Sequence, residues 1–326
     1  MANLDTLNAS SKIMVMKAKE RGITCQIFND QDTVLMEKDG QRWYTRGSRT
    51  SWQSSVGKTI ADYKPLTKEI LQHFQLPTAK SVTLTTSADV VKLKEMKFPV
   101  VVKPVDERHG TGVVVGVPDV ETVQTHFEKQ KPLLVEEQLQ GLEYRIICVD
   151  FKFVAAAFRK PAHVTGDGQK TIQELIDIKN QHPWRGEGHQ NFLSLIKVDE
   201  LVMKLLDSQS MTLESIPAKE QVVLLRQTAN LSTGGEAWDV TAEVGVENVK
   251  LFEQIAKVCD LNVVGIDMMC DSLKTPIIEQ AHAGVIEVNA SPGLRMHHYP
   301  IQGHAQDVAG KILDMVEKKL QETQRS

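Results

Sequence analysis

The sequence is poor in the features that mark several classes of protein. Aromatic residues make up 5% of its 326 residues, and its four cysteines are far apart without the paired spacing of a disulfide framework or a zinc site. No apolar run approaches the length of a membrane span, and the first ten residues lack the basic start and apolar core of a signal sequence. We therefore expect a reducing, cytoplasmic location and no membrane insertion.

An excess of charge of one sign is also lacking. The chain has 38 Lys and Arg residues against 42 Asp and Glu residues, and the basic residues are scattered along it. A surface that binds nucleic acid by releasing counterions needs clustered basic residues, so nucleic acid is not an expected partner. With 41% hydrophobic residues, the chain can bury a core as one multi-lobed unit or as two small domains.

The hydrophobic patterns predict a mixed α/β or α+β protein. A polar stretch over 181–190 contains Pro183, Gly186 and Gly188 and predicts a long functional loop. The predicted helices cover 11–21, 66–74, 171–180, 248–259 and the residues from about 305. The predicted strands cover 24–29, 33–37, 98–102, 113–117, 132–136, 145–154, 263–270 and 284–289.

Polar residues in the last two predicted strands give the strongest chemical signal. Side chains alternate across a strand, so Glu287 and Asn289 share a face. If Asp267 lies on the adjacent strand, three oxygen ligands converge, and such a set suits magnesium bound together with nucleotide phosphates. The alternative, ordinary polar residues on an exposed sheet face, stays open.

Two glycine-containing segments predict contacts with phosphate. Lys103 ends a predicted strand, and the loop after it contains Gly110 and Gly112, whose backbone N–H groups can approach phosphate oxygens. The segment 226–235 combines a guanidinium, an amide, hydroxyls and glycines, as a developing acyl phosphate requires. The alternatives are a hairpin turn and a surface turn.

Four longer segments carry a resemblance to the ATP-grasp ligases, and specifically to the central ATP-grasp domain of cyanophycin synthetase. They cover 159–168 (RKPAHVTGDG), 185–189 (RGEGH), 229–235 (ANLSTGG) and 287–297 (EVNASPGLRMH). The resemblance extends over about residues 60–300. The glutathione-synthetase half of the bifunctional bacterial enzyme is similar along the same segments but departs at 161–163 and 292–295, so it ranks second.

The resemblance implies a fold of two α/β lobes that clasp ATP. It implies a short N-terminal α/β lead-in over 1–62, a first lobe with a lid over 63–142, and a second lobe over 143–326 that carries the metal site and a substrate loop at about 160–225. Cyanophycin synthetases continue into a Mur-ligase-like domain, so we expect that second activity to be absent from these residues. The lead-in is shorter than the complete leading domain of the family, which favours a small substrate over a long polymer.

The resemblance also implies an ADP-forming acid–amino-acid ligase. ATP and two Mg²⁺ ions, for which Mn²⁺ can substitute, are the implied cofactors, and small amino acids or peptides are the implied substrates. A homo-oligomer is compatible with the sequence. The alternatives are a glutathione-synthetase-like ligase and an ATP-binding regulatory module without turnover.

Carried over residue by residue, the resemblance implies distinct roles along the chain. The nucleotide-binding residues are Lys64 and Lys103 at the phosphates, His109, Gly110 and Gly112 in the lid, Glu136, Glu137 and Leu139 at the base, and Glu143 at the ribose. The metal ligands are Asp267, Glu287 and Asn289, and the catalytic residues are Arg226 and Asn230 at the transferred phosphoryl group and Gly293 as an oxyanion donor. The substrate-binding candidates are Arg145, Arg159, His163, Arg185, Ser291 and Arg295, the arginines because guanidinium pairs with carboxylate in a bidentate way.

Overall fold

The structure is a computed structural model that describes residues 4–28, 32–106, 112–187 and 191–325. Its described α-helices are α1 (Ala9–Glu20), α2 (Ser55–Asp62), α3 (Lys64–His73), α4 (Val120–Lys129), α5 (Ile172–Asn180), α6 (Glu200–Ser208), α7 (Val246–Val258), α8 (Arg295–His298) and α9 (Val308–Arg325).

The described strands belong to several sheets. They are β1 (Thr24–Ile27), β2 (Thr33–Lys38), β3 (Gln41–Arg46), β4 (Arg49–Thr50), β5 (Ser81–Leu84), β6 (Val100–Pro104), β7 (Val114–Val117), β8 (Leu133–Glu137), β9 (Leu142–Val149), β10 (Lys152–Lys160), β11 (His163–Thr165), β12 (Arg185–Gly186), β13 (Leu193–Ser194), β14 (Val222–Leu224), β15 (Glu236–Asp239), β16 (Val263–Cys270) and β17 (Gly284–Asn289).

Contacts between Cα atoms divide the chain into two compact units, each assembled from separate segments. Unit 1 contains Met1–Ser51, Val154–Thr241 and Pro292–Ser326, and unit 2 contains Trp52–Phe153 and Ala242–Ser291. The boundaries predicted from the sequence, at residues 62 and 142, stay a prediction.

The first part of unit 1 is an antiparallel sheet in the order β1-β2-β3-β4 with helices α1 and α9. Alternation along β2 and β3 buries Met36 and Trp43, which face each other in the register of the two strands. Helix α1 begins where the Asn8 side chain accepts a hydrogen bond from the Ser11 N–H, as an N-cap does. It contacts α9, so the first and last α-helices of the described residues lie together in this unit.

A second core of unit 1 is formed by the residues between β10 and β15. Helices α5 and α6 and strands β11 and β14 bury an aliphatic cluster that includes Ile172, Ile176 and Leu206. Thr171 and Glu174 form a capping box at the start of α5, and this satisfies backbone N–H groups that would otherwise lack partners.

Unit 2 contains a four-stranded antiparallel sheet in the order β5-β8-β6-β7. Helix α4 packs its buried residues Val123 and Phe127 into the same core as Leu84 and Val135. The run Leu133 to Glu136 at the centre of this sheet is buried throughout, in agreement with a strand that is covered on both faces.

The same unit pairs β16 with β9 on one side and with β17 on the other, both antiparallel. Helices α2 and α3 contact β17, while α7 contacts β9 and β16. Strand β16 is almost wholly buried, so its polar residue Asp267 needs partners inside the protein.

The structure confirms the predicted strands β16 and β17 at their predicted ends and the predicted helices within a few residues. The single strand predicted over 145–154 is wrong, because Asp150 and Phe151 separate β9 from β10 with φ values of 51° and 60°. Neither residue gives the glycine signal that usually marks left-handed backbone. No helix among the described residues has both the length and the apolar character needed to cross a bilayer.

Candidate active site

The structure brings together the three residues predicted as metal ligands. Asp267 on β16 lies opposite Glu287 on β17, and Gly265 lies opposite Asn289. The Asn289 amide nitrogen lies 3.2 Å from Glu287 Oε1 and 3.4 Å from Asp267 Oδ2, within hydrogen-bond contact. The alternation that puts Glu287 and Asn289 on one face therefore also aims both at Asp267.

Arg145 on β9 completes this cluster from the other side of β16. It lies opposite Asp267, and its guanidinium donates from Nε to Oδ1 and from Nη2 to Oδ2, the latter over 2.9 Å. Burial opposes the charge on Arg145, but the Asp267 carboxylate outweighs burial and raises the pKa of the guanidinium. Arg145 is only 8% exposed, so its ion pair with Asp267 is buried.

The charges of this cluster favour a further cation. Burial raises the pKa of Glu287, and the nearby negative charge of Asp267 raises it further. The single guanidinium engages Asp267 and leaves Glu287 without a hydrogen bond from Arg145, and the donor set of two carboxylates and one amide oxygen is the hard-oxygen type that magnesium prefers. Over the described residues, no group of three or more His, Cys, Asp or Glu side chains could hold a metal.

A second charged cluster of unit 2 surrounds Glu136 on β8. Lys68 Nζ lies 2.8 Å from Glu136 Oε1, and Lys103 Nζ pairs with Glu136 Oε2. Burial opposes ionisation of Glu136, but the two ammonium charges outweigh burial and lower the pKa of the carboxyl group. The carboxylate predicted to meet the nucleotide base is therefore engaged by both lysines in this structure.

Lys68 is a residue that the sequence interpretation missed. It is 3% exposed, and Nζ also donates to the Val285 carbonyl over 2.7 Å and to Thr78 Oγ1 over 3.0 Å. Burial lowers its pKa, and the charge of Lys103 lowers it further, because one carboxylate serves two ammonium groups. The signal was its position one turn after Lys64 on α3, beside the buried residues Thr67 and Leu71.

The other predicted nucleotide-binding residues lie along β7, β8, β9 and α3 or just beside them. Lys64 is the first residue of α3, Glu137 Oε1 accepts from the Lys97 N–H over 3.0 Å, and Leu139 and Glu143 lie on either side of the start of β9. His109 and Gly110 lie outside the described residues, as does most of the predicted lid. Gly112 has a φ of 70°, and a Cβ added there would approach Pro104 Cγ to 2.8 Å, so this position requires glycine.

In unit 1, the predicted phosphoryl-binding segment forms a closed turn. The Asn230 carbonyl accepts N–H groups from Thr233 and Gly235, each over 3.1 Å, and Gly234 has a φ of 95°. Arg226 holds both carboxylate oxygens of Asp199 at 2.7 Å, and this interaction lowers the pKa of Asp199 to about 2.

Arg185 is held inside unit 1 by the carboxylate of Glu236, a residue that the sequence analysis does not select. Its guanidinium donates to Glu236 Oε1 over 2.9 Å and to the carbonyls of Ser194 and Gly234 over 2.7 and 3.1 Å. Lys179 also pairs with Glu236, at 2.8 Å. The Arg185 side chain is 1% exposed, so it braces the turn at Gly234 in this structure.

The remaining candidates differ in their surroundings. Burial and the charge of Lys179 lower the pKa of His163 to about 4, so this side chain is neutral near pH 7. Arg159 Nε donates to the Ala229 carbonyl over 3.1 Å, and Arg295 Nη1 to the Asn191 carbonyl over 3.4 Å. Ser291 is exposed, and a Cβ at Gly293 would meet open space.

Comparison with solved structures identifies the fold. The bifunctional glutathione synthetase from Pasteurella multocida matches with a TM-score of 0.78 and 30% identity, over 97% of this chain and 44% of that chain. The predicted ATP-grasp fold is confirmed, and the chain has the two-part α/β architecture of that class.

Comparison with curated proteins finds two groups of synthetases that are similar to this chain. The chain is 36% identical to the cyanophycin synthetase of Synechocystis over 318 residues, and 30% identical to the glutathione biosynthesis bifunctional protein GshAB of Pasteurella multocida over 333 residues. These matches cover 95% and 98% of this chain but only 36% and 44% of the relatives, so the chain spans well under half of their length. No family model matches the chain. The predicted resemblance to both groups of synthetases is confirmed.

Proposed function

We propose that the chain is an ATP-dependent carboxylate–amine ligase that forms an amide or peptide bond through an acyl phosphate. The observation that carries this proposal is the cluster of Asp267, Glu287 and Asn289 on paired strands of an ATP-grasp fold. Similarity to proteins named as synthetases supports amide-bond formation as the type of reaction.

We propose that the cluster binds two divalent cations, Mg²⁺ or Mn²⁺. Asp267 and Glu287 would each supply a carboxylate, and Asn289 an amide oxygen once its side chain turns. Bound metal would neutralise charge between the terminal phosphates of ATP.

The chain's own residues then bind and orient the reactants. Lys68 and Lys103 share one carboxylate, which leaves net positive charge that attracts phosphate oxygens. Segment 136–139 meets the base, and Glu143 meets the ribose. Arg226 and Asn230 bind the transferred phosphoryl group, and the Gly293 N–H stabilises the tetrahedral oxyanion.

The substrates in this proposal are an amino acid or short peptide that supplies the carboxylate and a second amino acid that supplies the amine. Arg159 and Arg295 are the arginine candidates closest to the surface, because each is half-buried, whereas Arg145 and Arg185 are buried. Cyanophycin-synthetase-like chemistry is supported by the 36% identity. Glutathione-synthetase-like chemistry is the second candidate, supported by the TM-score of 0.78.

A cytoplasmic location forms part of the proposal. Cys148, Cys259 and Cys270 are free and buried, and burial raises the pKa of Cys259 and Cys270 to about 12. Unpaired thiols of this kind fit a reducing compartment, where ATP is also supplied.

The test is release of ADP and phosphate by the purified chain with Mg²⁺, ATP and pairs of amino acids and dipeptides. We expect turnover that requires both an acid and an amine, with the amide detected by mass spectrometry. Glu287→Gln is the negative control, and an exposed glutamate of the same unit, replaced in Glu279→Gln, is its matched partner. Nucleotide-dependent thermal stabilisation without ADP release from any pair would favour a regulatory module and contradict the proposal.

A further inference from the structure

Two serine hydroxyls hold the segment Pro292–Leu294 from both sides. Ser48 Oγ donates to the Pro292 carbonyl over 2.8 Å, and the Leu294 N–H donates to Ser10 Oγ over 3.1 Å. Gly293 lies between the two contacts. All five residues belong to unit 1, so the arrangement is internal to that unit.

The two serines are themselves parts of one hydrogen-bond network. Ser10 lies in the first turn of α1, and Ser48 lies in the turn between β3 and β4. Ser11 Oγ joins these two places, because it accepts from the Gly47 N–H over 3.1 Å and contacts the Asp32 carbonyl at 3.3 Å. The start of α1 and the β3–β4 turn are thus linked by a hydrogen bond that does not involve the segment at Gly293.

The space beside the Gly293 Cα is open. A Cβ added there has no atom within 4 Å, and the residue is half-buried. Its neighbours are held instead: Ser48 is 0% exposed and Leu294 is 0% exposed. The Leu294 carbonyl also accepts the N–H groups of His297 and His298 over 3.0 and 3.2 Å, which starts α8.

We propose that Ser10 and Ser48 are positioning residues that set the backbone of Gly293 for oxyanion stabilisation. This inference rests on the proposed ligase function and gives the N-terminal segment a part in the reaction. Loss of the Ser48 hydroxyl leaves a buried carbonyl without its partner, and loss of the Ser10 acceptor frees the Leu294 N–H. Either change lets the Gly293 N–H move relative to the point where negative charge develops.

The test compares Ser10→Val with Ser10→Thr, because these side chains have the same shape and only threonine keeps the acceptor. Ser48→Ala is the second variant. Ser51→Ala is its matched control, since Ser51 contacts Tyr44 on the exposed side of the same hairpin. We expect kcat to fall about tenfold in Ser10→Val and Ser48→Ala, since misplacement by about 1 Å can cost on the order of 100-fold. KM for ATP should stay unchanged, and Ser10→Thr and Ser51→Ala should match the wild type.

Each kcat is divided by the number of nucleotide-binding sites measured by calorimetry, so that a loss of folded protein does not imitate a loss of turnover. Faster hydrogen–deuterium exchange over residues 292–298 in Ser10→Val, but not in Ser10→Thr, provides a readout without activity. Equal kcat per site and equal exchange in these two variants would overturn the positioning role. A wild type that binds nucleotide but never ligates would instead overturn the ligase function, and the positioning role with it.

Discussion

Arg145 and Asp267 face each other on neighbouring strands, and the guanidinium of Arg145 engages both oxygens of the Asp267 carboxylate. The same carboxylate is a proposed metal ligand. A metal ion and Arg145 therefore compete for the same oxygens, and the positive charge of Arg145 also opposes a nearby cation. Arg145 should therefore weaken metal binding when no nucleotide is bound. Bound nucleotide would add its phosphates as further metal ligands.

We predict that Arg145→Gln binds Mn²⁺ more tightly than the wild type when no nucleotide is present. We expect a gain of about tenfold, equal to about 1.4 kcal/mol, measured from the free Mn²⁺ signal in electron paramagnetic resonance titrations. Arg42→Gln, which removes an exposed ion pair with Glu37, is the control and should leave affinity unchanged. Weaker binding in Arg145→Gln would show that the guanidinium supports the ligand geometry and does not compete with the metal.

Glu287→Gln should abolish ligation without unfolding the protein, because it removes one charge from the metal site and keeps the side-chain size. The raised pKa of Glu287 adds a second expectation. A carboxyl group whose pKa is higher in the folded state favours folding below its unfolded pKa, and this contribution is lost as pH rises through the folded pKa. With metal chelated, Glu287→Gln should therefore have the same melting temperature as the wild type in acid. At pH values above the folded pKa of Glu287, the variant should have the higher melting temperature.

Thermal melts in the presence of chelator test this second expectation. They run from about pH 4, within the usual titration range of a carboxyl group, to about pH 8, above that range. Glu279→Gln should follow the wild type throughout. Retained turnover in Glu287→Gln would contradict the metal assignment, and a variant less stable than the wild type at neutral pH would contradict the electrostatic account.

The sequence predicted those parts of the site that depend on local geometry. Alternation along one strand was enough to pair Glu287 with Asn289, and two neighbouring strands brought in Asp267. The partner of Asp267 was not predictable in this way, because Arg145 reaches it through the register of β9 on β16, which sequence spacing does not reveal. Glu236 was missed for the same reason, since Lys179 and Arg185 meet it only in the folded unit.

The choice between Lys64 and Lys68 shows a different limit. Both lie on one face of α3, and the sequence interpretation selected the first. The role of Lys64 stays a prediction, and Lys68 is recognised only in the fold, because a lysine that is 3% exposed needs a charged partner, which Glu136 supplies. The break between β9 and β10 was not predicted for a related reason. Asp150 and Phe151 adopt left-handed backbone, which is not expected from their residue types.

Lys68→Met and Glu136→Gln should differ in their effect on stability. Lys68→Met leaves Glu136 paired with Lys103, so we expect a loss of on the order of 1 kcal/mol in the free energy of unfolding. Glu136→Gln leaves the buried ammonium group of Lys68 and the half-buried one of Lys103 without a carboxylate, and we expect a loss of on the order of 3 kcal/mol. Urea denaturation measures both values.

Nucleotide binding provides a functional test that compares Lys68 with Lys64. Lys68→Met should weaken ATP binding in calorimetry more than Lys64→Met, because Lys68 shares Glu136 with Lys103. The reverse order would favour Lys64 as the phosphate-binding lysine of this helix. A larger loss of stability in Lys68→Met than in Glu136→Gln would contradict the sharing of one carboxylate by two lysines.

The order of the chemical steps gives the last prediction. The cysteines Cys148, Cys259 and Cys270 are buried with raised pKa values, so these thiols stay protonated and are poor nucleophiles. The clusters around Asp267 and Glu136 instead suit charge on phosphate. A substrate carboxylate oxygen should therefore attack the γ-phosphorus, with cleavage of the bond to ADP, and the amine should then attack the acyl carbon and release phosphate.

That phosphate carries one carboxylate oxygen, so substrate labelled with oxygen-18 in its carboxylate should yield labelled inorganic phosphate, detected by mass spectrometry. Label in AMP with release of pyrophosphate, or unlabelled phosphate alongside the amide, would rule out the acyl phosphate.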